Sequence, residues 1–568
     1  RHVILNGSSS LDLTCSSRRK RTRLIAIALL ALAITTSPLA ATAEIHRVDS
    51  PLMRDLSTLF VSQGLSLPST AGPWSSDELL FFSEKLDTGS LSEAEQRIYD
   101  HIIAALTADK KPVSATVRAS LEAYLHANTK DFTTQDDWVY SYLDRNALIS
   151  IPVELSLGPW YGYVDVSLVN RNIDARDSAN SAVNGVSSLY GTRIFTTNLP
   201  IQFPSEGLQI DSNVPYYAVL AVGGGGWSIE TGRQQLSWGP GYSGNFLLGS
   251  HVQYHNMARL SAYRGNFKYG FVTSFFPHPD EIWDIAAPSD QGREIKGLKM
   301  FHAHRFEFRL FKDRLGLAIN ESIMYQNKEG IDLRVLNPMM LYHNYFIRSN
   351  ANSLATLEVD WALSKGWNLC GQVAVDELSF GSAEWNLADE KKHPNGLAFM
   401  LGSSYAHVAE QGIVTAHIEG VYTDPYLYLR SIHGDADQVS DAENLNFVIA
   451  IRRWSAGPDK VIYDQEYMGY RYGGDAIVLD SGVEYRSFSN WYIKGRLFAM
   501  AHGEVGKETK WELGKLSLAP SGNPTFYVQT GVSVGKRLGH FECYGSLDYL
   551  ARIHEYKAVH DLQLVVGA

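Results

Sequence analysis

The sequence predicts a mainly β chain: a large transmembrane antiparallel β-barrel of about 16 to 18 strands behind a small N-terminal α-helical bundle. Three observations predict it. An export-type segment opens the chain, an apolar periodicity of 3.6 residues follows, and from about residue 151 a periodicity of 2 replaces it and persists to the end.

The export segment is read from Arg18, Arg19, Lys20, Arg21 and Arg23 ahead of the apolar run Leu24 to Ile34, with Ala41-Thr42-Ala43 as a small-residue cleavage site. That run is too short for a bilayer, which needs roughly 20 apolar residues. Residues 1–43 are therefore assigned to a signal peptide and upstream residues, and the mature chain is expected to start at Glu44.

Composition leans the same way. Of 568 residues 11% are aromatic, with 30 Tyr, 12 Trp and 47 Gly, and aromatics favour pleated surfaces. Residues 1–43 hold six basic residues and one acidic one, so removing their +5 from the net −11 leaves −16 for the remainder. Such a charge disfavours nucleic acid as a partner, because that binding needs clustered Lys and Arg. Cys370 and Cys543 sit on opposite parities, polar and apolar, which argues against a disulfide between them.

Residues 44–148 are expected to form a periplasmic helical domain. Ser50 can cap a helix, Pro51 suits its first position, and Gly64 ends a segment carrying Leu52, Leu56, Leu59 and Phe60. Ser75 with Glu78, and Ser90 with Glu93, have capping-box spacing. Ile98, Ile102 and Leu106 share a helical face, as do Val117, Leu121 and Leu125.

Residues 149–568 are assigned to the barrel. Leu357, Val359, Trp361 and Leu363 alternate with Glu358 and Asp360; Phe306, Phe308 and Leu310 alternate with Glu307 and Arg309. Phe526, Val528, Val532 and Val534 oppose Gln529 and Ser533, while Phe541, Leu547, Tyr549 and Ile553 oppose Glu542, Asp548 and Arg552. A soluble sandwich would alternate too. Export, 418 residues without a long helix, and aromatics at strand ends (Tyr422, Tyr426 and Tyr428; Trp491 and Tyr492) favour a barrel with aromatic girdles. Glu321 shares parity with Leu317, Ile319 and Ile323, and a bulge or an inward rotation would accommodate it. Polar stretches at 171–190, 278–297, 381–396 and 431–444 read as extracellular loops or partial plugs.

Several motifs together resemble the capsule assembly Wzi family. Leu56 to Leu65 followed by Gly72-Pro73-Trp74 is similar to its opening, and Gly232-Arg233-Gln234-Gln235 with Trp238-Gly239-Pro240-Gly241 to its most recognisable motif. His304-Arg305-Phe306, Leu336-Asn337-Pro338 and Gly457-Pro458-Asp459 resemble later landmarks. The resemblance implies a helical bundle before a barrel of about 18 strands, and a role in holding or organising surface polysaccharide by lectin-like binding at the extracellular mouth. One departure is the ending Leu562, Leu564, Val566, Gly567-Ala568, where many such barrels end on an aromatic residue.

Arg233, Gln235 and Trp238 could hydrogen-bond and stack on a sugar; equally, they could belong to a strand and bend with a lumenal arginine paired to a carboxylate. Glu230, Glu307, Arg309 and Glu321 are the candidate members of such a lumenal network. His302 and His304 have no third ligand at metal-site spacing and read as structural, so no metal or cofactor is expected. Gly223 to Gly226 lacks the Lys and Ser or Thr of a phosphate loop, and Gly241-Tyr242-Ser243-Gly244-Asn245 lacks the final glycine and the α/β setting of a nucleophile elbow. The expectation is a noncatalytic protein whose partners are outer-membrane lipid, surface or capsular polysaccharide and, during biogenesis, the barrel-insertion machinery. The alternative is a porin-like channel or transporter for small polar solutes.

Overall fold

The computed structural model describes residues 43–132, 139, 145–168, 194–199, 217–276, 298–327, 335, 337, 340, 342, 351–377, 394–430, 445–455, 461–507, 509 and 518–568. The expected export segment, nearly all of the four polar stretches and the Gly457-Pro458-Asp459 landmark lie outside the described residues, as do Leu336 and Pro338.

Three short helices follow the N-terminal strand. Helix α1 (Pro51–Ser62) has Ser50 at its N-cap and proline at the first position, although the Ser50 hydroxyl makes no capping bond. It stops at Gly64, whose φ of 77° lets Leu65 N–H reach back to the Phe60 carbonyl at 2.9 Å. Helix α2 (Ser76–Ser83) is capped by Ser75, which accepts from Glu78 N–H at 3.2 Å. Helix α3 (Glu93–Thr107) carries a full capping box, but between Ser92 and Glu95. The expected Ser90–Glu93 pair is corrected: Asp87 caps a 3-10 turn over Thr88–Ser90, which ends before the helix begins. Leu56, Leu59, Phe60, Trp74, Ile98, Ile102 and Leu106 are buried in one cluster that also includes Val408 and Ile413 from either side of a tight turn of the sheet. Each such side chain contributes about 1.5–3 kcal/mol on burial.

The stripe Val117, Leu121 and Leu125 is not helical. The segments Val113–Ala115, Arg118–Ala119 and Glu122–His126 are strands, so sheet structure begins well before residue 149. Glu122–His126 pairs with the C-terminal strand Lys557–Gly567, and backbone bonding there outweighs the local helical spacing.

The chain is dominated by one 21-stranded antiparallel sheet. From Ala218–Gly224 onward each strand pairs with the next in the sheet, through to Lys557–Gly567; the hairpin of Val448–Ser455 and Val461–Tyr467 is set apart. Strand Ile149–Leu157 joins Val113–Ala115 to Trp160–Leu168, and the latter pairs with Ala218–Gly224. At one end the connections are tight, as at Gly265, Gly366 and Gly539, all with positive φ. At the other they are long.

The two faces of this sheet are inverted relative to a soluble protein. Leu357 and Trp361 are 43% and 48% exposed, whereas the intervening Glu358 and the adjacent Asp360 are each 3% exposed. Phe526, Val532, Val534 and Leu547 are likewise exposed, and Asp548, Asp561 and Gln563 buried. Exposed Trp227, Phe267, Phe311, Trp367, Trp491 and Phe541 gather at the tight-turn end. Tyr426 and Tyr428, by contrast, are buried, and their expected place in an aromatic girdle is corrected. They fold inward with Trp238, Phe246, Phe447, Tyr467 and Tyr470 into an apolar core.

Glu321 needs neither bulge nor rotation, since pairing on both sides of its strand runs without a register shift. It lies on the apolar-parity face, 3.3 Å from His304 Nε2. Tyr342 stacks on that imidazole at 4.8 Å, and Val335, Met340 and Tyr342 pack over Met300 and Ile323, covering the polar pair. Cys370 is buried, Cys543 is exposed, and both are free. Among the described residues no helix is long and apolar enough to cross a membrane.

Candidate functional site

A strap from the N-terminal part runs along the polar face of the sheet. Ala71–Gly72 pairs with Ser237–Trp238, and side chains on either side of this contact are tied to the sheet by charge. Glu78 pairs with Lys268, whose Nζ also donates to Ser69 Oγ and the Ala71 carbonyl, both at 3.0 Å. Thr70 accepts from Arg305, and Leu67 N–H donates to Asp360 at 2.6 Å. Isolated charges buried to this degree would cost several kcal/mol each, so the ladder of ion pairs is what permits this polar face to be packed.

The sequence-selected residues fall into different places. Glu307 and Arg309 meet at 2.7 Å, and Arg305 joins them at 3.0 Å from Glu307. Glu230 forms a separate pair with Arg259 at 2.6 Å and accepts from Gln234. Arg233 is one residue out of phase with Glu230 and so stands on the other face, bonded to Asn256 at 3.0 Å with its guanidinium 4.3 Å from the Tyr254 ring centre. Trp238 is fully buried, so it packs and presents no face for a sugar. Gln235 alone of the seven borders the large cavity, donating to the Ser250 carbonyl. Glu321 belongs to the apolar-parity face described above.

Ser243, buried, donates to Glu419 at 2.5 Å and lies 2.9 Å from the Tyr470 hydroxyl; Tyr242 and Ser243 N–H groups donate to the same carboxylate. The Ser243 hydroxyl thus meets a carboxylate and a phenol, the arrangement of a carboxylate held by a loop.

Sequence reasoning missed the cavity. It has a volume of about 1580 Å³ and runs from His540 and Glu542 near the tight-turn end to His502, Glu504 and Lys507 at the other. Arg47 lies over Tyr217 at 3.9 Å, Arg552 over Phe132 at 5.1 Å, Arg471 over Tyr472 at 5.4 Å and Arg496 over Phe498 at 5.4 Å, all of them lining residues. Lys507 adds a fifth pair with Tyr467 at 5.7 Å. Gln529, Asn146 and the Tyr527 and Tyr544 side chains complete a wall rich in donors and ring edges. Such a surface can hydrogen-bond and stack; no cluster of metal ligands is found among the described residues.

Sheet order and inverted faces define the fold of outer-membrane β-barrel proteins. Within that class the chain is similar to the solved structure of Wzi, described as an outer membrane protein involved in group 1 capsule assembly in Escherichia coli and as a carbohydrate-binding β-barrel. The two share 14% identity over 93% of this chain and 99% of that one, with a TM-score of 0.53. OccK5 of Pseudomonas aeruginosa (9% identity, 80% of this chain and 97% of that, TM-score 0.35) and the channel DcaP of Acinetobacter baumannii (10%, 81% and 97%, 0.32) are weaker likenesses and carry no argument. No family model and no curated protein sequence matches the chain.

Proposed function

We propose that the chain is a noncatalytic outer-membrane protein that binds or organises polysaccharide at the cell surface. In this reading the sheet closes into a transmembrane barrel of 18 strands, counting 113–126 as one and leaving the short Phe195–Thr197 aside, and helices α1 to α3 form a periplasmic bundle beneath it. The pairings of Trp160–Leu168 with Ala218–Gly224 and of Glu122–His126 with Lys557–Gly567 support closure. The observation that carries the reading is the inversion at Leu357, Glu358, Asp360 and Trp361: an apolar surface outside and charge inside suits hydrocarbon, and no aqueous setting. The fold likeness to a carbohydrate-binding barrel and the donor-and-ring-lined cavity support a sugar ligand. Deleting the gene and measuring retained surface polysaccharide tests it; unchanged retention contradicts it.

The extent of the cavity along the strands favours a second reading, a porin-like channel. The strap and the inward-folded aromatic core oppose it, because they occupy lumenal space. Stable conductance steps from purified protein in planar bilayers would favour the channel.

A further inference from the structure

We propose that the cavity itself is the glycan site, and that it takes an anionic oligosaccharide chain lying along the strands. This rests on the polysaccharide-binding reading above and adds to it a place and a charge. Seven of the described lining residues are Lys or Arg and five are Asp or Glu, so the cavity wall carries +2 in a chain whose net charge is −11. A cleft lined with an excess of one sign raises the local concentration of ligands of the other, here anions.

The cations are also placed for recognition. Arg47, Arg496 and Lys507 are partly neutralised by Asp49 at 3.1 Å, Asp480 at 2.6 Å and Glu466 at 3.8 Å. Arg118 and Arg471 are exposed and line the cavity. The Arg471 and Arg552 guanidiniums lie 5.4 and 5.1 Å from the Tyr472 and Phe132 ring centres, and Arg552 also donates to the Asp131 carbonyl; planar guanidinium donors beside rings suit a sugar ring that carries a carboxylate. The volume exceeds the roughly 300–1,000 Å³ typical of a small-molecule pocket, and its two ends lie at opposite ends of the strands, which fits a chain of sugars better than a single one.

The test uses the full chain in detergent micelles and calorimetric titration with short oligogalacturonate, which bears a carboxylate on every ring, against neutral malto-oligosaccharide of equal length. Oligogalacturonate is expected to bind about ten-fold or more tightly than the neutral chain, and to weaken as salt is raised. The double variant Arg118→Gln, Arg471→Gln is expected to lose about ten-fold in that affinity at an unchanged unfolding midpoint, while Arg264→Gln, at the Gly265 tight turn and outside the cavity lining, binds like the parent. Equal binding of both chains overturns the charge, and undiminished binding by the double variant overturns the place, each leaving the broader glycan reading intact. Binding of neither chain overturns this proposal; the broader reading then falls only if polysaccharide retention is also unchanged by deletion.

Discussion

Arg305 and Glu358 meet at 2.6 Å although a whole strand, Leu315–Asn327, lies between theirs. Asn320 of that middle strand bridges them, accepting from Arg305 at 3.0 Å and donating to Glu358 at 2.8 Å. Thr70 of the strap hydrogen-bonds to both. Three strands and the N-terminal part are thus fixed by one buried polar network, and it supplies the first prediction.

Glu358→Ala should destabilise the protein by about 3 kcal/mol or more, because Arg305 is then buried with one carboxylate instead of two. Denaturant unfolding in detergent reads this directly. A loss below about 1 kcal/mol would mean that water already screens the pair.

On the other face the order of penalties reverses with solvent. Leu357→Arg should cost about 2–4 kcal/mol in phospholipid if the site lies near mid-bilayer, and less in a detergent micelle, whose thinner alkyl layer lets the guanidinium snorkel to water. Comparing unfolding of this variant in vesicles and in detergent checks the difference.

The contact between N- and C-terminal strands is held by polar side chains. Buried Glu122 accepts from the Tyr124 and Tyr544 hydroxyls and, at 2.9 and 2.8 Å, from the Asn146 backbone and side chain; His126 and Asp561 lie 2.9 Å apart beside it. Tyr544→Phe should cost about 1–3 kcal/mol, seen as earlier loss of the compact, heat-resistant band on electrophoresis.

Glu95 of α3 connects stability to pH. Burial alone would raise its carboxyl, but hydrogen bonds from Ser62, Ser92 and Gln63 outweigh it and lower the pKa. A lowered folded pKa means stabilisation that is present above the ordinary glutamate range, near 4.3, and is lost as pH falls through and below it. The difference in thermal midpoint between the parent and Glu95→Gln should therefore be largest near neutral pH and shrink on acidification.

Much of this architecture is legible in the sequence where one period excludes the other. Leu357, Glu358, Val359, Asp360 and Trp361 can satisfy only a period of 2, and the strand follows. Val117, Leu121 and Leu125 are spaced by four, which suits a helical face and equally one face of a strand; pairing with a partner more than 430 residues later decides between them. Ser90-Glu93 and Ser92-Glu95 are overlapping boxes that local spacing cannot rank. Tyr426 and Tyr428 read as interfacial aromatics until the connection carrying them turns inward. The cavity was invisible for the same reason: Arg47, Arg118, Arg471 and Arg552 share no linear motif, and only the folded chain brings them around one cavity.

The central claim, that the apolar face meets lipid and the polar face an enclosed interior, is tested by fluorophores on single cysteines at neighbouring positions 546 and 547 in a cysteine-free background, in vesicles containing brominated lipid. The account predicts strong quenching from Leu547→Cys and weak quenching from Ser546→Cys. Equal quenching at both, or the reverse order, would contradict it.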